Sequence, residues 1–316
     1  MSRPDHVLVT GGAGFIGSHL VEVLLDEGHR VRVIDNLATG RPENLAAVKD
    51  RIEWVEASLA DFDACRRAVE GIDVVFHEAA IPSVPRSVAE PLPSHESGPT
   101  ATLHILEAAR LAGVRRLMFA ASSSAYGDTE TSPKIETMYP NPLSPYAAGK
   151  LAGEHYVRVY ARTMGLDAVS LRYFNVFGPR QDPSSPYSGV ISLFIKAMSR
   201  GERPKIYGDG LQTRDFTYVS NVVAANLAAM RHPEPLGGVV VNVGAGQSIS
   251  LLDLITELNK LLGTDLEPEF LPPRAGDVRD SLASLERAGK LLGYRPTVDF
   301  AEGLRRTVEA EVARAR

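Results

Sequence analysis

Apolar and polar positions along the first half of the chain switch repeatedly between the period of a strand and that of a helix. Residues 7–10, Val-Leu-Val-Thr, form a short apolar run rich in β-branched side chains, and a glycine-rich stretch and an apolar-periodic segment at 18–27 follow. Further strands are predicted at 30–34, 52–56, 74–77, 116–120 and 166–171, with helices at 62–70 and 101–112. Ser144-Pro145 reads as the cap and first residue of another helix, since the serine oxygen can accept an orphan amide and proline has none to leave unpaired. Strand and helix in alternation predict an α/β fold with a doubly wound parallel sheet, whose ligands bind at the carboxyl ends of the strands. Past Asn175 glycine and proline become frequent, and helices at 251–262, 285–292 and 301–313 predict a smaller C-terminal α/β lobe. The expected division is therefore 1–175 and 176–316, with some segments of the second part returning to the first.

Composition narrows the classes of partner. The chain has 316 residues, 44% of them hydrophobic and 23% charged, enough for one large domain or two medium ones with ample core. The net charge is −5 and no Lys/Arg run is long enough to track a polynucleotide, so nucleic-acid partners are set aside. The N-terminus runs straight into a strand pattern without a sustained apolar segment, so neither a secretory signal nor a membrane span is expected. One cysteine, Cys65, excludes an intrachain disulfide, and a cytoplasmic, reducing location is expected. No repeats and no metal-spaced His/Cys clusters are visible.

The candidate chemistry lies at strand ends. Gly11-Gly12-Ala13-Gly14-Phe15-Ile16-Gly17 follows the first strand and opens a helix, and the second strand ends in Asp35, as in a dinucleotide-binding βαβ unit. The glycines permit a tight turn and close backbone approach, the helix N-terminus receives a pyrophosphate, and Asp35 accepts from the adenosine ribose. A carboxylate there repels a 2′-phosphate, which favours NAD over NADP. His77-Glu78-Ala79-Ala80 ends one strand with small residues suited to a flat ring, and Ala121-Ser122-Ser123-Ser124-Ala125-Tyr126-Gly127 brings hydroxyls to the next. Tyr146 and Lys150 stand four positions apart on one helix face, where the ammonium and the helix dipole are expected to favour the phenolate. Taken singly, this pair also fits a surface tyrosine and lysine, and the serines also fit simple turn formers.

Together, GGAGFIG, Asp35, HEAA, SSSAYG and YAAGK resemble the extended short-chain dehydrogenase/reductase superfamily, and within it the NAD-dependent nucleotide-sugar epimerase/dehydratase family. The resemblance covers nearly the whole chain and implies a Rossmann-type sheet with a UDP-sugar-binding lobe. It implies a catalytic triad of Ser122, Tyr146 and Lys150, with NAD held by Gly11, Gly14, Phe15, Ile16, Gly17 and Asp35. Asn36, Ser58, Leu59 and His77 would add to that cofactor site, as would Ala79, Ala80 and Tyr173. For the substrate it implies Asn175, Arg214 and Arg274 on the diphosphate, with Asp277 and Tyr187 toward the nucleoside. Ser83, Ser123, Ser124, Val190, Tyr207 and Ser281 would complete that pocket.

The resemblance also bears on the reaction. Dehydratases of the family carry an Asp-Glu pair directly after the catalytic hydroxyl, and decarboxylases a Glu two residues before the tyrosine of the YG pair. Ser123 and Ser124 stand here, and an alcohol is a weak acid or base without a partner. The simplest remaining outcome is 4-epimerisation through a 4-keto sugar. PSVPRSV, SSSAYGD and RYFNVFGPRQDP look like the subgroup acting on N-acetylated UDP-hexosamines, in which a small residue at the position of Ser281 admits an acetamide. The expected substrates are UDP-GlcNAc/UDP-GalNAc, with UDP-glucose/UDP-galactose open. The alternatives are a UDP-glucuronate epimerase or decarboxylase and a catalytically idle nucleotide-binding protein. Relatives dimerise through the helices at 101–112 and 146–164, which implies a homodimer. The chain departs from the family at Ser58 and Ser284, where aspartate is usual, and at Gly98-Pro99, where Asn-Val is usual; losing the first acceptor costs NAD binding about 1 kcal/mol.

Overall fold

The computed structural model describes residues 4–182, 189–273 and 278–315. Its first half contains strands β1 (His6–Thr10), β2 (Arg30–Asp35), β3 (Ile52–Glu56), β4 (Val74–His77), β5 (Arg116–Ser122) and β6 (Asp167–Tyr173). Between them lie helices α1 (Phe15–Asp26), α2 (Phe62–Ala68), α3 (Val84–Ala89), α4 (Pro91–His95), α5 (Ala101–Leu111) and α6 (Pro145–Thr163). The second half adds the short strands β7 (Val176–Phe177), β8 (Lys205–Tyr207), β9 (Thr213–Arg214) and β10 (Thr217–Tyr218), with helices α7 (Val190–Met198) and α8 (Val219–Arg231). The chain closes with β11 (Val240–Val243), β12 (Ile249–Ser250), α9 (Leu251–Leu262), β13 (Glu269–Leu271), α10 (Glu286–Leu292) and α11 (Phe300–Ala315).

Seven strands form one sheet in the order β11-β6-β5-β4-β1-β2-β3, and every neighbouring pair runs parallel. β1 and β4 bury every residue, as a sheet covered by helices on both faces requires. Chain order reverses at β1, which pairs with β2 on one side and β4 on the other, so a crevice opens at the carboxyl ends of β1 and β4. β11 lies well past residue 175 yet pairs with β6, and it thereby returns to the main sheet. A separate apolar cluster around Phe177, Phe194, Ile255, Leu258 and Phe300 is the core of the smaller lobe.

Two local differences from the sequence reading have plain causes. α1 starts at Phe15 rather than 18, because Gly14 takes the cap position inside the glycine turn. α8 is buried almost all round, including Val222, Ala225, Leu227 and Ala229, so its sequence has no polar face to set a helical period. Pro99 sits in a π turn, Glu96–Thr100, that joins α4 to α5, and the Ala101 amide reaches back to the Glu96 carbonyl. A wider turn accommodates a residue without an amide, so the helix continues past the proline.

Candidate active site

The crevice opens into a cleft of about 1540 Å³, larger than one drug-sized ligand needs and roomy enough for a dinucleotide with a nucleotide sugar beside it. One end is the glycine turn. Gly11 has φ +67°, and a Cβ there would lie 2.7 Å from Ala79 Cα, so β1 and β4 approach this closely only with glycine present. A Cβ on Gly17 would lie 2.3 Å from the Gly11 carbonyl oxygen. α1 begins with no side-chain cap and no acid in its first turn, which leaves its first amides open to an anion. Asp35 lines the same end; its carboxylate accepts from the Ala13 amide at 3.0 Å and the Leu37 amide at 2.8 Å. Ser58 and Leu59 lie nearby, and the Ser58 hydroxyl accepts from the Ala60 amide. An uncapped helix N-terminus, a glycine cradle and a buried acid fit the pyrophosphate and ribose of a dinucleotide. Gly17→Ala is expected to weaken dinucleotide binding about tenfold or more, since overpacking costs ~1–3 kcal/mol; the dinucleotide released on denaturing the purified variant measures it.

The middle of the cleft is built by β5 and α6. Ser144 caps α6, its hydroxyl accepting from the Ala147 amide at 3.2 Å, with Pro145 following as expected. Tyr146 and Lys150 both line the cleft. Ser122 ends β5, and its hydroxyl accepts from the Ser124 hydroxyl at 2.8 Å and acts on the Tyr146 phenol. Burial pushes that phenol up, and Ser122 pulls it back. The Lys150 ammonium donates to the Ala120 carbonyl at 2.6 Å, and the Ser122 hydroxyl favours the phenolate. His77 is fully buried behind the cleft wall, between the Thr10 hydroxyl at 2.8 Å and the Thr102 hydroxyl at 3.0 Å. Burial and Lys150 push it down to about 3, so it is neutral.

The other end belongs to the smaller lobe. Asn175, with φ +29°, lines the cleft and donates to the Asp215 carbonyl at 3.3 Å and the Ser281 hydroxyl at 3.4 Å. Arg214 lines it too, donating to the carbonyls of Thr213 and Arg279. Gly14, Phe15, Ile16, Asn36, Ala79 and Ala80 are part of the wall, as are Tyr173, Ser83, Ser123 and Ser124. Val190 belongs instead to the margin of the lobe's core, and Tyr207 to β8, paired with β13. Tyr187, Arg274 and Asp277 lie outside the described residues.

Several contributors carry no motif. Asp215, fully buried, accepts from the amides of Ala245, Gly246 and Ala283, tying β11 to the segment that carries Ser281. Burial pushes it up to about 6, and those amides hold it back. Arg41 donates to Asp182 at 2.6 Å and Arg180 to Glu22 at 2.5 Å, linking the glycine-turn side of the cleft to the Pro179–Asp182 side. Behind Lys150, Arg172 and Glu154 form a buried pair with two 2.7 Å hydrogen bonds.

Residues 7–244 match the NAD dependent epimerase/dehydratase family. The chain belongs to that family. NAD is its cofactor, and the cradle around Gly11, Gly17 and Asp35 fits it. The chain is 44% identical over 307 residues to a UDP-glucose 4-epimerase of Mycolicibacterium smegmatis, covering 96% of this chain and 97% of that one. It superposes with TM-score 0.94 and 39% identity on the UDP-N-acetylglucosamine 4-epimerase of Methanobrevibacter ruminantium M1 in complex with UDP-N-acetylmuramic acid, covering 99% and 100% of the two chains. The UDP-glucuronic acid 4-epimerase of Bacillus cereus, in complex with UDP-glucuronic acid and NAD, gives TM-score 0.91 and 33% identity, covering 98% and 100%. The parallel sheet and the glycine cradle are thus those of an epimerase/dehydratase-family enzyme.

Proposed function

We propose that this enzyme is a 4-epimerase of UDP-sugars, acting on UDP-GlcNAc/UDP-GalNAc and on UDP-glucose/UDP-galactose. The observation that carries this reading is the meeting of Ser122, Tyr146 and Lys150 at the end of β5 with only serines at positions 123 and 124. Bound NAD supplies reversible hydride acceptance at the sugar carbinol carbon. Tyr146, whose phenolate Ser122 favours, takes the C4 hydroxyl proton and later returns it to the keto oxygen. Ser122, held by the Ser124 hydroxyl, orients that exchange. Elimination or decarboxylation would call for an acid or base where Ser123 and Ser124 stand, so return of hydrogen to the opposite face of the turned sugar is the favoured exit. Arg214 and Arg274 suit the diphosphate, which forked donors recognise.

Neutral sugars are ranked above uronates on the wording of the RYFNVFGPRQ segment. Ser281, 9% exposed and bonded to Asn175, leaves room that a tyrosine ring would fill. Ser281→Tyr is expected to lower kcat/KM for the N-acetylated sugars ten- to a hundredfold while sparing UDP-galactose, a range typical of steric discrimination. Equal loss on both sugars would count against the gate. Following UDP-glucose, UDP-GlcNAc and UDP-glucuronate by NMR tests the activity: inverted C4 supports it, while CO2 loss or silence on every sugar overturns it.

A cytoplasmic homodimer is part of the same proposal. The outer faces of α5 and α6 expose Leu111, Tyr156 and Val159, apolar side chains suited to a four-helix contact between two copies. No helix among the described residues is long and apolar enough to cross a membrane. Cys65 is free and buried, in keeping with a reducing compartment.

A further inference from the structure

Two neighbouring residues of β5 hold Lys150. The Ala120 carbonyl accepts from its ammonium at 2.6 Å, and the same ammonium lies over the Phe119 ring, 5.0 Å from the ring centroid. That ring is itself fixed. His77 stacks on it with centroids 5.6 Å apart and planes at 27°, and His77 is pinned between the Thr10 and Thr102 hydroxyls. From α6, Gly153 approaches so closely that a Cβ there would lie 2.5 Å from Phe119 Cζ. The helix carrying Lys150 therefore settles directly on the ring edge. An aromatic face is negative and attracts an ammonium, more strongly where both are out of water. Phe119 is buried and Lys150 is only 7% exposed.

We infer that Phe119 is a positioning residue for Lys150: its ring face and the Ala120 carbonyl together seat the ammonium on the strand that ends in Ser122. This rests on reading Lys150 as part of the proton-exchange site. A purely structural role at position 119 would need only apolar bulk, whereas the attraction to the ammonium needs the ring itself. Leucine supplies bulk without a ring face. The other groups about Lys150 stay the same in such a variant. Glu78 and Glu154 favour the ammonium against burial, with Glu154 also held by Arg172 through two 2.7 Å hydrogen bonds. His77 is neutral, and burial keeps the Tyr146 phenol protonated to higher pH.

The test is NMR of the NAD-loaded protein labelled with carbon-13 at lysine Cε, the Lys150 signal being identified by its loss in Lys150→Met. In the wild type, the ring current is expected to place the Lys150 Hε signal upfield of the other lysines. Phe119→Leu is expected to return it toward them and to lower the Lys150 titration midpoint by about half a pH unit or more, with kcat falling about threefold or more and KM nearly unchanged. Leu166→Ala opens the same apolar cluster at the amino end of β6, away from Ser122. It is expected to lower the melting temperature and leave the Lys150 signal and midpoint in place. Gly153→Ala presses a methyl onto the ring and is expected to displace the Lys150 signal, which provides the reading should Phe119→Leu not fold. A signal and midpoint unmoved in Phe119→Leu, or failing that variant a signal unmoved in Gly153→Ala, overturns the inference, as does equal movement in Leu166→Ala. Full activity in Lys150→Met would instead sink the catalytic reading beneath it, an outcome on which the wild-type Lys150 signal does not depend.

Discussion

Tyr146→Phe is expected to reduce kcat about a thousandfold while the protein keeps its fold and its dinucleotide. The substitution removes one oxygen from a side chain in a cleft wall, so it opens no cavity in the core and leaves α6 capped by Ser144. What it removes is the atom that exchanges a proton with the sugar hydroxyl. Positioned general bases contribute about 10²–10⁴ in rate, and here no nearby group replaces the phenol. Ser122 and Ser124 are alcohols, and the Lys150 ammonium is directed at the Ala120 carbonyl. The loss should fall on kcat with KM nearly unchanged, because the phenol acts on the reacting oxygen rather than on the nucleotide. Single-turnover kinetics with NAD content measured on the same sample separate this from a cofactor defect. Turnover within a few-fold of wild type would remove Tyr146 from the chemistry.

The parts of this site that were legible in the sequence are those whose chemistry is local. The glycine turn, the acid ending β2, the cap at Ser144 and the spacing of Tyr146 and Lys150 are each contained within a strand end or a single helical turn, so residue type and spacing suffice to place them. The parallel sheet was legible for the same reason, since fully buried strands read as short apolar runs between helical periods. What was not legible depends on side chains that meet across the fold. Nothing in the spacing of Tyr146 and Lys150 shows that the Lys150 ammonium is held by the Ala120 carbonyl of a neighbouring strand. Asp215 reads as one more charge in a loop, yet it accepts amides from Ala245, Gly246 and Ala283. α8 was missed because its one less-buried stripe, Ser220, Ala224, Ala228 and Arg231, is half alanine and sets no clear polar period.

The buried pair of Arg172 and Glu154 shows the same limit and carries the largest expected effect on stability. Arg172 lies on β6 and Glu154 on α6, 3% and 4% exposed at their side chains, and nothing in their spacing of 18 residues announces the contact. The guanidinium also lies 4.5 Å from the Tyr126 ring centroid, while the Tyr126 hydroxyl donates to buried Asn242 at 2.7 Å. Burial works against the Arg172 charge, but the hydrogen bonds and charge of Glu154 more than offset it and hold the guanidinium above its ordinary value. Arg172→Met keeps much of the side-chain volume and strands the Glu154 carboxylate without its forked donor. Breaking one partner of a buried pair costs about 3–5 kcal/mol, a large share of a typical domain's stability. Chemical denaturation should show that loss as a lower midpoint, and the double variant Glu154→Leu with Arg172→Met should recover much of it, because the uncompensated charge is gone. A single variant as stable as wild type would mean that Glu154 reaches water or takes up a proton at no cost.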